Sequence, residues 1–375
     1  DGRGFTLQGH EKGFYVGPTL LDRVTPRTID ELECALSVLG AILLAHLLGA
    51  THVSWAAFAG YMVMRGHAAE TLARGVLRIV GTVAGGLIAL GSAPFIVGYW
   101  PAAAAALALM GTISLYAAIT SRRSYAWLFF GLTYAMVVLD KIEHPAIALP
   151  EFVQTRVLET LAGIAASLIV SLASTLTLRR RWPAKRTPAA TGAGWHGDSL
   201  RHALQAGVAL ALLVALNAWI PVPALAQGAI MIMAVMLLPV TGIGSSGLAP
   251  VSQRILQRMI GCIGGALFAA FFLVAGADNM ALLLGATAIG VMLGRHLENG
   301  DPTHRYVGTQ FTLAVLVMLV PDRYDQLVLE PGVERLMAIF IGMAVLMPVL
   351  LVGHMLRGRH ADEATAPASG ESGGV

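Results

Sequence analysis

Charge is scarce in this chain: 13% of its 375 residues are Asp, Glu, Lys or Arg, about half the share a soluble globular protein carries. That scarcity excludes an ordinary soluble enzyme, a nucleic-acid-binding surface and a disordered chain. Cysteine is scarcer still. Cys34 and Cys262 are the two in the chain and fall at or inside apolar segments far apart, so neither a disulfide framework nor a metal site is implied. Period-two alternation is missing, which argues against a membrane β-barrel. No nucleophile–base pair and no phosphate loop stand out, so no enzyme and no cofactor are expected. Gly242-Ile243-Gly244-Ser245-Ser246-Gly247 has G-x-G-x-x-G spacing, but it follows an apolar run rather than a strand. It reads as a flexible loop. No signal peptide is expected either: the first apolar block starts near residue 34 and no cleavage site follows it.

What the chain has is apolar length. Hydrophobic residues make up 56% and mean hydropathy is +0.70. They come in blocks that suit the roughly 20 residues a helix needs to cross about 30 Å of hydrocarbon. Twelve candidate spans fall near 34–50, 53–64, 79–98, 102–120, 124–139, 160–178, 202–219, 224–238, 259–277, 279–294, 306–321 and 335–356. Helices are expected because a lipid-facing segment must satisfy its own backbone. Thr28 with Glu31 three residues on forms a capping box ahead of the first span. The fold class is therefore an all-α membrane protein of about twelve transmembrane helices.

Lys and Arg set the orientation. With a cytoplasmic N-terminus, 21 of the 25 fall in inside segments, and Lys141, Arg156, Arg323 and Arg335 are the four outside. Both termini are thus expected in the cytoplasm. Tyr99, Trp100 and Trp219 mark outer ends, as interfacial aromatics do.

The two halves resemble each other. Arg74, Arg78, Gly81 and Gly85 return as Arg254, Arg258, Gly261 and Gly265, at a constant offset of 180. The first two spans align with the seventh and eighth at an offset of 168, pairing Gly60 with Gly228. Six helices per half insert both copies the same way up, giving a parallel repeat. The expected organisation is a repeat over 28–178, a basic cytoplasmic linker over 179–199, a second repeat over 200–357, and a disordered tail over 358–375.

Each Arg–Gly set has i, i+4, i+7, i+11 spacing, so it forms one helix stripe. Two guanidinium groups stand at the cytoplasmic mouth, and a Gly-xxx-Gly face lies one turn deeper, where a neighbouring backbone can approach. Guanidinium suits a carboxylate, although arginines at span ends also serve as anchors. The spans over 53–64 and 224–238 are short and occupy matching positions, a pointer to a substrate site in transporters. Trp55, Tyr61 and Gln227 would lie near it. His46, inside the first span, is a candidate for proton coupling, since intramembrane ionisable groups are functional candidates by default. Asp140 and Glu159, flanking the outer loop between the fifth and sixth spans, are candidate proton or gate groups.

The Arg-xxx-Arg-xx-Gly opening with its glycine run, present twice and preceded by a helix ending near Gly60-Tyr61-Met62-Val63-Met64, resembles the fusaric acid resistance or aromatic acid exporter family. The resemblance covers roughly residues 30–357. It implies export of aromatic or other organic acids across the bacterial inner membrane, driven by protons, with a periplasmic membrane-fusion protein as partner. Plant aluminium-activated malate channels are similar in their six-helix unit, and that similarity implies an arginine-lined anion path at Arg74, Arg78, Arg254 and Arg258. The alternatives are a passive organic-anion channel and a non-transport membrane scaffold. A homo-oligomer is left open. Residues 1–26, with Gly13-Phe14-Tyr15-Val16-Gly17-Pro18-Thr19-Leu20, resemble a fragment of methylmalonate-semialdehyde dehydrogenase, without its nucleotide-binding half or catalytic cysteine. No dehydrogenase activity is expected from it.

Overall fold

A computed structural model describes residues 20–184, 194–243, 248–276, 279–320 and 330–365. The bulk of the dehydrogenase-like segment, the middle of the expected linker, the end of the 242–247 loop and the last ten residues of the expected tail lie outside the described residues.

The described residues fold into helices, with no strand among them. In chain order they are α1 (Leu20–Leu47), α2 (Val53–Val63), α3 (Ala68–Ile96), α4 (Trp100–Thr120), α5 (Ser124–Glu143), α6 (Leu149–Leu176) and α7 (Leu178–Arg181). Then follow α8 (Gly197–Trp219), α9 (Leu225–Met236), α10 (Val240–Ile243), α11 (Leu248–Gly276), α12 (Met280–Glu298), α13 (Arg305–Leu319) and α14 (Glu330–Thr365). Each expected apolar segment overlaps one of these helices. Eight of them, α3, α4, α5, α6, α8, α11, α12 and α14, are long and apolar enough to cross a membrane. The outward faces of α3 and α11 expose Val80, Leu87, Leu267, Phe271 and Val274, a surface suited to lipid rather than water.

Helices α2, α9 and α13 are apolar but shorter. The 11 residues of α2 span only about 17 Å, little more than half the hydrocarbon thickness. Pro239 prevents α9 from continuing. Its start is tight as well. Ala224 sits at φ 48°, in the left-handed region, and Glu143 takes the N–H of Ala224 at 2.7 Å and of Leu225 at 3.0 Å. That carboxylate satisfies donors which a helix start otherwise leaves open.

Close crossings hold the bundle together. A Cβ on Gly81 or Gly85 would overlap the carbonyl oxygens of Ala126 and Phe130 on α5. One on Gly261 or Gly265 would meet those of Val307 and Phe311 on α13. The α3–α5 and α11–α13 pairs therefore pack backbone to backbone, in the same register to within one residue. A second matched crossing joins α6 to α2, where Gly163 faces Ala56 and Gly60, and α14 to α9, where Gly342 faces Gly228.

The halves interleave. Helix α4 lies along α8, and α1 lies along α12. One buried cluster draws on α4 and α5 with α8, α9 and α14. Another draws on α1, α2 and α6 with α12 and α13. Local sequence similarity shows the duplication of units but not this exchange of partners.

At one end, buried charges tie α1 to later helices. Glu33 receives Arg179 Nε at 2.8 Å and Nη2 at 2.6 Å. Asp30 receives Arg295 Nε at 2.6 Å, and Glu31 pairs with His296 at 2.7 Å. These residues come from segments that charge counting assigns to the same side of the membrane.

The crossings give a direct test. Gly265→Ala and Gly85→Ala should each lower thermal stability in detergent by about 1–3 kcal/mol, the range for overpacking a filled contact. Gly91→Ala and Gly285→Ala, where an added Cβ meets nothing within 4 Å, should leave it unchanged or slightly raised.

Candidate anion site and pathway

The helix stripe of α3 delivers Arg74 and Arg78 onto α5. Arg74 lies 4.1 Å from the centroid of the Tyr125 ring, and Arg78 lies 4.0 Å from that of Phe129. Arg78 Nη1 reaches the Tyr125 hydroxyl at 3.4 Å. On α11 the arrangement returns: Arg254 is 5.1 Å from the Tyr306 ring, and Arg258 Nη1 is 3.4 Å from the Tyr306 hydroxyl. Arg254 also donates to the Leu237 carbonyl where α9 ends. Stacking on rings desolvates a guanidinium while keeping it charged.

One difference between the copies matters. The position of Phe129 is taken in the second half by Gln310, at the α5–α13 offset of 181. Arg78 and Arg258 are each 4% exposed, and Gln310 is 3% exposed. The Nε atoms of Arg74, Arg78 and Arg258 and the Oε1 of Gln310 are buried and meet no partner among the described residues. Buried polar atoms without a partner are rare in folded proteins, so this corner has hydrogen-bonding capacity to offer.

It faces a cavity of about 280 Å³. Arg78, Arg254, Arg258 and Gln310 line it together with Trp55, Gln227 and a largely apolar wall that includes Phe58, Phe129 and Tyr306. A narrow chamber of about 50 Å³ connects Arg78 and Phe129 with Arg156 and Glu159. Beyond it lies a vestibule of about 420 Å³ lined by His52, Asp140, Glu143, His144, Arg156, Glu334 and Arg335. Trp55 borders all three spaces, and Gln227 borders the two larger ones.

The open seam lies between α11 and α14, and side-chain size explains why. In the first half a Cβ on Gly75 would come within 2.8 Å of Ile164, and one on Gly86 within 2.6 Å of Val153, so α3 and α6 close on each other. At the matching positions the second half has Ile255 opposite Met343, and Ala266 opposite Gly332. Two bulky residues hold the helices apart at one level. Two small ones, both lining the cavity, leave space at the other.

Sequence candidates separate accordingly. Trp55, Gln227, Arg78, Arg254 and Arg258 come together at the cavity, and Arg74 stands behind them on Tyr125. Tyr61 points elsewhere: it is buried and donates to Glu298 at 2.6 Å. Asp140 lines the vestibule and Glu159 the narrow chamber. His46 bonds the Ile42 carbonyl of its own helix at 2.8 Å, sits on an exposed face and borders none of these spaces. Arg156 and Arg335 carry no signal in the sequence that marks them as site residues, whereas Gln310 is one of several polar positions within apolar spans that can line a pathway or bond helices together. Arg156 looks like an outer-loop residue until α6 is seen to begin at Leu149.

The family model for fusaric acid resistance protein-like sequences matches residues 40–170 and 243–349, more than half of the chain and both stretches bearing the arginine stripes. The chain belongs to that family. As a fusaric acid resistance protein-like chain with many apolar helices, it is a multi-pass membrane protein of the transport and resistance class. No curated protein and no solved structure matches it significantly.

Cys262, one turn from Arg258 on α11, lines the cavity, whereas Cys34 is fully buried. An anionic methanethiosulfonate should therefore modify Cys262 faster than a cationic one of equal size, and Arg258→Gln should abolish that preference. Mass spectrometry reads the site; equal rates in the unsubstituted protein would contradict an arginine-lined cavity.

Proposed function

We propose that the protein exports small organic acids with an apolar, often aromatic, body across the bacterial inner membrane. The observation that carries this reading is the pairing, in one cavity, of buried arginines from both halves with an apolar aromatic wall. An arginine fork binds a carboxylate at two points, and the wall takes up the hydrophobic remainder of the ligand. A volume near 280 Å³ lies just below the range of about 300–1,000 Å³ common for ligand sites, which favours a small acid.

In this reading all twelve longer helices are embedded, as two parallel six-helix repeats with both termini in the cytoplasm. The arginine cavity then lies nearer the cell interior and the vestibule nearer the periplasm, where a membrane-fusion protein would receive the substrate. The substrate moves past Trp55 between them. Proton coupling falls to Asp140 and Glu159, the two titratable sequence candidates that border the route. His46 lies off it.

Purified protein in liposomes loaded with radiolabelled benzoate tests the reading. Arg258→Gln and Arg78→Gln should each reduce the initial efflux rate about tenfold or more with the melting temperature little changed. An imposed pH gradient should drive efflux against the benzoate gradient. Wild-type rates in both variants would remove the arginines from the path, and efflux indifferent to pH would identify a passive channel.

A further inference from the structure

The vestibule at the far end of the route contains a second pair of arginines, one from each half. Arg156 on α6 and Arg335 on α14 both line it, and Arg335, at the boundary, borders the 280 Å³ cavity as well. Each precedes a crossing glycine by seven residues, Gly163 and Gly342 respectively. Those glycines make the matched α6–α2 and α14–α9 crossings, so both arginines stand about two turns along their helices from equivalent contacts.

The surroundings of Arg156 are built. The residue is 8% exposed, and its guanidinium lies 4.7 Å from the Trp55 ring and 4.8 Å from the Phe152 ring. Its Nη1 donates to Glu159 Oε2 at 3.1 Å, while Glu159 Oε1 accepts the backbone N–H of His52 at 3.0 Å. The Nε of Arg156 is buried and meets no acceptor among the described residues. Two aromatic rings and one carboxylate thus fix a guanidinium that keeps a buried donor to give.

Carboxylates also border the vestibule. Glu143 is engaged by the N–H groups that start α9, and Glu159 is engaged by Arg156 and His52. Asp140 and Glu334 remain opposite Arg156, Arg335, His52 and His144. A guanidinium stays charged at any physiological pH, so one stands for each of Asp140 and Glu334.

We propose that Arg156, with Arg335 at the boundary, forms a second anion site for the same small carboxylates, beyond Trp55 from the Arg78–Arg254–Arg258 cavity. This rests on the export reading, because it places a second stop on the same route. The narrow chamber supports the link: it is bordered by Arg78 at one side and Arg156 at the other, so an anion leaves one guanidinium within reach of the next.

Equilibrium binding of radiolabelled benzoate to the purified full chain in detergent tests it. The unsubstituted protein should bind two benzoates per chain. Arg156→Gln should weaken one of them by about tenfold or more and leave the other intact, whereas Arg335→Gln, at a residue that borders both spaces, should weaken both. Arg258→Gln should do the reverse of Arg156→Gln. Should Arg156→Gln fail to fold, Arg156→Lys, which keeps the charge but loses the fork, should show the same selective loss. A single benzoate per chain, abolished by Arg258→Gln and untouched by Arg156→Lys, would overturn the second site while leaving the export reading in place. No benzoate bound at all would overturn both.

Discussion

Lipid gives two apolar helices no hydrophobic reason to associate, so what holds this bundle is how closely backbones approach. The approach is made at glycines. Gly81 and Gly85 admit the carbonyls of α5, and Gly261 and Gly265 admit those of α13. Because each pair shares a helix stripe with two arginines, the contact that joins the helices also determines where the guanidinium groups arrive. They arrive on Tyr125 and Tyr306, out of water, with donors remaining. Packing and electrostatics are therefore one arrangement here.

The buried charges at the α1 end serve a different purpose. A carboxylate such as Glu33 or Asp30 is costly to remove from water unless it is fully paired, and taking away one partner of such a pair typically costs about 3–5 kcal/mol. Arg179, just after α6, and Arg295, near the end of α12, supply the partners. The network fixes helices distant in sequence against α1, a positional constraint that apolar side chains facing lipid do not provide.

Much of this was legible beforehand, for identifiable reasons. Apolar block length located the helices, and their interruption located the short α2 and α9. The i, i+4, i+7, i+11 spacing placed the arginines and glycines on common faces, and the constant offset paired the two copies. Less legible was anything that depends on partners far along the chain. The exchange that sets α4 against α8 and α1 against α12 leaves no local trace. Arg156 and Glu159 looked like loop residues because their charges depress hydropathy, yet each satisfies the other inside α6. His46 and Tyr61 show the converse: a polar group within an apolar run draws notice, but rotation about the helix axis decides whether it meets a pore, a carbonyl of its own turn or a carboxylate such as Glu298.

The two stretches that share the arginine stripe meet their neighbours differently. Besides Gln310 in place of Phe129, the difference is steric. Glycine beside isoleucine and glycine beside valine seal one seam; isoleucine beside methionine and alanine beside glycine prop the other ajar. Differences of bulk, at positions that carry no charge, thus close α3 on α6 and leave α11 and α14 parted around a cavity that draws guanidinium groups from both halves.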